Sequence, residues 1–217
     1  MKIHHLSENN SVLNHFLAEI RNVKIQGDAL RFRRNIERIG EIMAYELSKS
    51  LHYHPTKIET PLGIKDTFLV KNQLVLCAIL RAALPMHNGF LNYFDRAENG
   101  FISAFRNHQK NNSEFEIVLQ YEAVAELTNK IVVLIDPMLA TGKSIVAVYN
   151  RILERGNPAE IHIAVAIAAP EGISYLQQHL PENCHLWVAA LDEKLNDKSY
   201  IIPGLGDAGD LAFGQKL

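Results

Sequence analysis

The sequence has little of several features that mark other classes of protein. It contains two cysteines, Cys77 and Cys184, no long run of like charges, and no apolar run near the ~18 residues of a membrane-spanning helix. Lys plus Arg is 22 and Asp plus Glu is 24, which gives a net charge of −2. These absences argue against a disulfide framework, a nucleic-acid-coating surface and a membrane protein.

The cysteines that are present favour a reducing compartment. Cys77 lies within the apolar run of residues 74–80, where a buried and inert thiol is expected. The first residues are polar and carry no secretion signal, so we expect the chain to be cytoplasmic. With 47% hydrophobic and 21% charged residues, the composition is typical of a globular protein with a sizeable core.

The first third of the chain predicts a long helix and a projecting arm. Apolar residues recur mostly at three- and four-residue steps over residues 28–49, with Asp28 placed to cap the helix. Residues 57–60 and 67–70 are β-like and flank a Pro-Leu-Gly turn. We therefore expect a β-hairpin arm over about residues 55–70.

The middle of the chain alternates short apolar strands with helices. Strands of a parallel sheet are apolar throughout when helices cover both faces, so this pattern predicts an α/β fold with a doubly wound, mostly parallel sheet. The predicted strands are 74–80, 100–105, 114–121, 130–135, 161–168 and 185–190, and the predicted helices are 84–96, 144–155 and 171–179.

A single domain over residues 1–217 accounts for the whole pattern. Its core covers about residues 72–190, and a small hood is formed by the N-terminal helices and residues 191–217. Four of the twelve glycines fall in residues 200–214, which is too many for a helix or a regular strand. Apolar residues anchor this segment, so we expect an ordered loop.

The strongest local motif is a buried strand that ends in an acid and runs through a short loop into a helix. Residues 131–135 form the strand, Asp136 follows it, and Thr141, Gly142 and Ser144 stand where the helix begins. Ligands of α/β sheets bind at the carboxyl ends of strands, and a helix N-terminus presents unpaired N–H groups to an anion. The motif therefore predicts a phosphate site, with the Asp136 carboxylate suited to vicinal hydroxyls or a hydrated metal.

Three interpretations of this motif are open. Residues 142–144 match the end of the P-loop of nucleoside triphosphatases, but Pro137 stands where that pattern requires its first glycine. A phosphoribosyl diphosphate loop needs a strand-end acid for the ribose hydroxyls, where Asp136 stands, and a Thr-Gly-x-Ser for a single 5′-phosphate. A capped helix after a strand would explain only the threonine and the glycine.

Residues 136–142 resemble the 5-phosphoribosyl 1-diphosphate (PRPP) loop of the uracil phosphoribosyltransferase family. Residues 79–82 and 168–173 resemble further segments of that family, and residues 200–210 resemble its uracil-binding segment. The resemblance implies transfer of the phosphoribosyl group from PRPP to uracil, giving uridine 5′-phosphate (UMP) and diphosphate in pyrimidine salvage.

The resemblance also implies roles for individual residues. The implied catalytic residues are Arg81, Arg106 and Asp136, with the two arginines neutralising the charge of the leaving diphosphate. The implied uracil-binding residues are Ile201, Gly206, Asp207 and Ala208. The implied PRPP-binding residues are Arg81, Arg106, Asp136, Pro137, Met138, Leu139, Ala140, Thr141, Gly142, Lys143, Ser144 and Asp207.

Cofactors and partners follow from the same resemblance. Mg²⁺ is expected to be carried by the diphosphate without a direct protein ligand, a homodimer or higher homo-oligomer is implied, and GTP is left open as an effector. The chain departs from the family pattern at Ala83, at Lys143 and in the polar residues 107–113, where an acid that usually follows Arg106 is missing. These departures motivate an alternative of a different class: a catalytically weak relative that binds nucleotide as a sensor or regulator.

Overall fold

The structure is a computed structural model that describes residues 1–108 and 115–215. Within these ranges the chain forms the strands β1 (Lys2–His5), β2 (Tyr53–Thr60), β3 (Gly63–Val70), β4 (Leu74–Leu80), β5 (Glu98–His108), β6 (Phe115–Ala123), β7 (Ile131–Ile135), β8 (Met138–Leu139), β9 (Glu160–Ala168), β10 (His185–Leu191), β11 (Lys194–Leu195) and β12 (Ile201–Ile202). The α-helices are α1 (Leu13–Arg21), α2 (Ala29–Ser48), α3 (Leu84–Leu91), α4 (Lys143–Ile152), α5 (Pro170–His179) and α6 (Ala208–Phe213).

A mostly parallel sheet forms the centre of the fold. Its strand order is β1-β10-β9-β7-β4-β5-β6, and the short β8 adds to the end of β9. Neighbouring strands are parallel except for β6, which runs antiparallel to β5 at one edge. The predicted α/β fold with a mostly parallel sheet is confirmed.

The two faces of the sheet belong to two apolar cores. Leu76 and Ala78 of β4 face the core that α2 and α3 cover, whereas Val75, Cys77 and Ile79 of the same strand face the core under α4 and α5. Side chains alternate between the faces of a strand, so a strand covered on both sides has to be apolar at every position. This is why the core strands could be predicted to within a few residues.

The N-terminal helices sit on the first of these cores. The Asp28 side chain accepts a hydrogen bond from the Arg31 backbone N–H at 3.1 Å, as a helix N-cap does, and α2 runs from there to Ser48. The arm is the antiparallel pair β2 and β3, which spans residues 53–70 and pairs with no other strand of the described chain.

The prediction for the C-terminal segment was wrong in one respect. The segment is ordered, but residues 208–213 form helix α6 and residues 201–202 form strand β12. The Asp207 side chain caps the helix by accepting from the Asp210 backbone N–H at 3.0 Å, and Gly206 and Gly214 stand outside the helix with positive φ. Only Gly209 lies inside it, so the glycine content does not prevent a helix of this length.

Two other boundaries differ from the sequence prediction. Helix α3 ends at Leu91, and residues 92–97 form a turn that leads into β5. The strand β1 was not predicted, because its residues His4 and His5 read as solvated polar positions. In the structure His4 stacks on Trp187 with 3.8 Å between ring centroids.

Candidate active site

The carboxyl ends of β4 and β7 bring two of the predicted residues to one edge of the sheet. Ala78 of β4 pairs with Ile135 of β7, so Arg81 and Asp136 leave neighbouring strands side by side. Both line a cleft of about 910 Å³. This is the edge of a parallel sheet where α/β proteins bind their ligands.

The loop after β7 is held in place by its own backbone. The Pro137 carbonyl accepts hydrogen bonds from the N–H groups of Ala166 and Ile167 at 3.1 and 3.0 Å, and the Ala169 N–H donates to Leu139 O at 2.9 Å. The loop therefore continues the sheet as β8 before it turns toward α4. These hydrogen bonds hold the loop through contacts within the protein alone.

The turn into α4 requires glycine. Gly142 has φ +79, a left-handed conformation that side chains disfavour, and it stands at the N-cap of α4. On the neighbouring helix α5, a Cβ added to Gly172 would lie 2.3 Å from the carbonyl oxygen of Ala140. The missing side chain at Gly172 thus lets α5 pack directly against the loop.

Asp136 and Arg81 both make hydrogen bonds within the protein. Asp136 Oδ1 accepts from the Met138 N–H at 3.2 Å. Arg81 Nη2 lies 3.0 Å from Gly214 O and 3.5 Å from Asp210 Oδ1, and its Nε is buried without a hydrogen-bond partner among the described residues. The Arg81 side chain as a whole is 39% exposed at the cleft, so its guanidinium can donate to an anion there.

Residues of the C-terminal segment complete the lining of the cleft. Gly206, Asp207 and Ala208 line it, and Gly206 has φ +92 with nothing within 4 Å of the place where its Cβ would stand. The backbone of Gly206 is therefore open to a ligand that presents hydrogen-bonding edges. Ile201 is 3% exposed and its side chain packs in the core, whereas its neighbour Tyr200 lines the cleft.

The structure brings eight of the predicted site residues to the cleft, namely Arg81, Asp136, Met138, Ala140, Ser144, Gly206, Asp207 and Ala208. Pro137, Leu139 and Ile201 turn buried side chains away from solvent, and Thr141, Gly142 and Lys143 form the turn beside the cleft. Arg106 belongs to β5, but its side chain lies outside the described residues, as do residues 109–113 of the polar stretch.

The sequence reasoning missed residues that reach the cleft from other strands. Ser103 of β5 lines it because Ser103 pairs with Leu80, directly before Arg81. No local motif marks Ser103. Its place at the cleft follows only once β5 is known to pair with β4. Ala83, where the resemblance implies glycine, has φ −74 and ψ −17, a conformation that alanine adopts freely.

Neither cysteine contributes to the cleft. Burial raises the pKa of Cys77 to about 12 and that of Cys184 to about 11, so both thiols stay protonated and unreactive. Among residues 1–108 and 115–215, no group of three or more His, Cys, Asp or Glu side chains is arranged to hold a metal ion. In the same part of the chain, no helix has the length and apolar character needed to cross a bilayer.

The structure is an α/β protein in which a strand-end carboxylate leads through a hydrogen-bonded loop into a helix N-terminus, an arrangement in which α/β proteins bind phosphorylated ligands. The family model of uracil phosphoribosyltransferase matches residues 7–215, and the chain belongs to that family. The resemblance seen in the sequence is therefore confirmed.

Individual relatives agree with this assignment. The chain is 48% identical over 217 residues to a uracil phosphoribosyltransferase of Porphyromonas gingivalis, with 100% of both chains covered. It is 37% identical over 193 residues to a uracil phosphoribosyltransferase of Pyrococcus furiosus, covering 88% of this chain and 82% of the relative. A solved structure of a protein from Aquifex aeolicus superposes with a TM-score of 0.87 at 32% identity and 98% coverage of both chains.

Proposed function

We propose that the protein transfers the 5-phosphoribosyl group of PRPP to uracil, forming UMP and diphosphate. The observation that carries the proposal is the meeting of Arg81 and Asp136 at one edge of the sheet, in a cleft that Gly206, Asp207 and Ala208 also line. Family membership and the names of the relatives support the same activity. No observation on the described residues favours the sensor alternative.

The PRPP side of the cleft is the wall made by β4 and the loop after β7. In this proposal Asp136 accepts hydrogen bonds from the ribose hydroxyls, and the N-terminus of α4 with Thr141 and Ser144 binds the 5′-phosphate. The Arg81 guanidinium, whose side chain is 39% exposed at the cleft, donates to the diphosphate. Lys143 adds a cation at the start of α4, and the role of Arg106 at the diphosphate remains a prediction.

The hood is the uracil side. Uracil presents an acceptor, a donor and an acceptor along O2, N3–H and O4, and the backbone groups of residues 206–208 can match that order. Cytosine has an amino donor in place of O4, so a fixed backbone N–H would face a second donor and reject it. Ile201 belongs to this set through its backbone alone, because its side chain is buried in the core.

The chemistry needs positioning and charge neutralisation rather than a nucleophile. The bond from ribose C1 to the diphosphate oxygen breaks, the bond from C1 to uracil N1 forms, and N1 loses its proton. The residues hold both reactants in line and stabilise the departing negative charge. Mg²⁺ belongs to the substrate as the PRPP complex, and the Asp136 and Asp207 carboxylates on the cleft suit its hydrated oxygen shell.

Formation of UMP from uracil, PRPP and Mg²⁺ by the purified protein tests the proposal. The Asp136→Asn variant is expected to lose about 100-fold or more in rate, because it removes the charge that faces the ribose. Asp95→Asn is the matched control, since Asp95 is exposed in the turn before β5, at the other end of the strands. Added GTP tests the effector role, and cytosine tests the base.

The outcomes separate the two classes of function. Uracil-specific UMP formation that Asp136→Asn abolishes and Asp95→Asn preserves supports the enzyme. If no UMP forms while calorimetry shows that PRPP or UMP binds, the enzyme assignment is wrong and the sensor alternative gains support.

Assembly and location complete the proposal. We place the chain as one phosphoribosyltransferase domain in the cytoplasm, where its two buried, unpaired thiols remain reduced. A homodimer is supported by the arm, whose strands carry the exposed side chains of Tyr53, Ile58, Ile64, Phe68 and Leu69. Apolar residues so placed on a two-stranded hairpin need a covering surface.

A further inference from the structure

One buried carboxylate lies outside the cleft and outside the residues assigned to it. Asp192 follows the end of β10, and only 4% of its side chain is exposed. Its backbone N–H donates to Ala168 O at 2.8 Å, which fixes it at the carboxyl edge of the sheet. A buried carboxylate is costly unless it is fully hydrogen-bonded, so its partners matter.

Arg21, at the end of α1, is the cation that pairs with it. The distance from Arg21 Nη2 to Asp192 Oδ1 is 2.6 Å, and the distance from Nη1 to Oδ2 is 2.8 Å. This is the two-pronged geometry that a planar guanidinium makes with a carboxylate. The pair joins the N-terminal helix to the sheet.

The same pair makes hydrogen bonds to both backbone polar groups of Gly204, a residue of the C-terminal segment. The Gly204 N–H donates to Asp192 Oδ2 at 3.0 Å, and the Gly204 carbonyl accepts from Arg21 Nη1 at 3.0 Å. Gly204 has φ +62, and a Cβ there would lie 2.2 Å from Ile201 O. The peptide groups on both sides of Gly204 are therefore fixed by a charged pair in a conformation that suits glycine alone.

Gly204 is two residues from the backbone that faces the base. The Gln26 side chain holds the next carbonyl, that of Leu205, at 3.4 Å, and Gly206 then opens onto the cleft. On the other side, the Glu193 N–H donates to Ile202 O at 3.0 Å. The segment that presents hydrogen-bonding groups to uracil is thus anchored at its start by Arg21 and Asp192.

We propose that Arg21 and Asp192 are positioning residues that set the register of the uracil-binding backbone and thereby its affinity and selectivity for the base. This inference rests on the proposed function. Neither residue touches the cleft, so they act through Gly204. Because the phosphate-binding loop is held by a separate set of backbone hydrogen bonds, loosening Gly204 should affect the base more than PRPP, for which the only proposed contact in this segment is Asp207.

Arg21→Lys is the variant that tests this with the least risk to folding. Lysine keeps the charge beside Asp192 but cannot bind both carboxylate oxygens and the Gly204 carbonyl with one planar group. Small misplacements in a site have large kinetic effects, so we expect the KM for uracil to rise about tenfold and the KM for PRPP to change less than about twofold. Discrimination against cytosine should fall with it.

Arg31→Lys is the matched control. Arg31 forms a similar two-pronged pair with Glu19, at 2.5 and 2.9 Å, between α1 and the start of α2, and its hydrogen bonds do not include residues 201–208. It should leave both KM values unchanged. Asp192→Asn is a second variant of the buried pair and is expected to move the uracil KM in the same direction as Arg21→Lys.

The measurements are initial rates against each substrate and the melting temperature of each variant. A rise in the uracil KM alone for Arg21→Lys, with the control unchanged, supports the inference. It is overturned if the two KM values rise equally, if neither changes, or if Arg31→Lys gives the same effect. Absence of UMP formation by the unmodified protein would instead refute the proposed function, and this inference with it.

Discussion

At the scale of single residues, the phosphate-binding loop depends on two positions that have no side chain. Gly142 supplies the left-handed turn into α4, and Gly172 supplies the space in which α5 meets the loop. The first could be predicted, because glycine at the start of a helix after an acidic strand end is a local signal. The role of Gly172 could not be predicted, because it depends on a close approach to the Ala140 carbonyl, which belongs to another segment of the chain.

Gly172→Ala is expected to damage the loop and the stability together. The added methyl would lie 2.3 Å from Ala140 O, a backbone atom that cannot rotate away. Such overpacking costs about 1–3 kcal/mol, and the displaced loop should raise the KM for PRPP more than the KM for uracil. Thermal unfolding and initial rates measure both effects.

Gly27→Ala provides the comparison, since nothing lies within 4 Å of a Cβ at Gly27. It should keep the melting temperature and both KM values. A Gly172→Ala protein that binds PRPP normally would show that α5 does not define the loop.

Residue-scale prediction from sequence therefore succeeds where the reason is local. Asp136 follows its strand directly, and Asp28 caps the helix that begins one residue later. The pairing of Arg21 with Asp192 joins positions 171 apart, and no spacing rule connects them. Ala83 looked like a departure from the glycine of its family, but the backbone there is ordinary helical conformation.

At the scale of elements, the arm is the piece with the least support from its own chain. Two paired strands are marginally stable alone. Ile64 and Phe68 are four positions apart on β3 and therefore lie on the same face of the strand. Their side chains are 72% and 66% exposed. An arm of this kind gains from a second subunit that covers it.

Replacing Ile64 and Phe68 with serine is expected to weaken the proposed dimer. The substitution removes apolar area from the face that would be covered, so the dissociation constant measured by sedimentation equilibrium should rise at least about tenfold. The hairpin keeps its backbone hydrogen bonds, and Val23→Ser, at another highly exposed apolar position outside the arm, should leave the association unchanged. A monomeric unmodified protein, or an equal effect of Val23→Ser, would contradict the assignment.

Elements were predictable in proportion to how much of their surface is buried. The strands β4, β7 and β9 are apolar throughout because both faces are covered, and their ends were found within a residue or two. The short helix α6 was missed because its stability comes from one cap and from core contacts of Ala208 and Ala212, not from composition.

At the scale of the whole molecule, the sheet has different chemistry at its two ends. The cleft lies at the carboxyl ends of the strands. A cluster of three histidines, His4, His162 and His185, lies toward the amino ends of β1, β9 and β10. The Trp187 indole N–H donates to His162 Nδ1 at 3.1 Å, and His162 Nε2 lies 3.2 Å from Glu160 Oε2. Because an indole nitrogen can only donate, His162 has to be neutral with its proton on Nε2.

This arrangement predicts a loss of stability in acid. Burial lowers the pKa of His162 to about 4 from 6.5, and burial lowers the pKa of His4 to about 4 as well. Between these values the unfolded chain binds protons that the folded chain excludes, so stability is full above pH 6.5 and falls as the pH drops toward 4. For His162 alone, the loss between pH 7 and pH 5 is about 2 kcal/mol.

Denaturant unfolding at pH 7 and pH 5 measures the effect. His162→Gln removes the titrating ring but keeps an acceptor for the Trp187 N–H. Because His162 is fully buried, the replacement should lower the free energy of unfolding at pH 7. The variant should then lose less of that free energy on acidification than the unmodified protein. An equal pH dependence in both proteins would show that His162 is not the group responsible.

The contact of Arg21 with Gly204 also has a consequence for the order in which the molecule is completed. The two residues are 183 positions apart. At ribosomal rates of about 5–20 residues per second, Arg21 is made roughly 10–40 s before the glycine that it holds. The groups that hold the phosphate-binding loop lie in residues 166–172, whereas the base-binding wall has to wait until the last part of the protein is synthesised. A chain that ends before residue 204 would therefore contain the backbone partners of the phosphate-binding loop but would lack Gly206, Asp207 and Ala208, which are proposed to select the base.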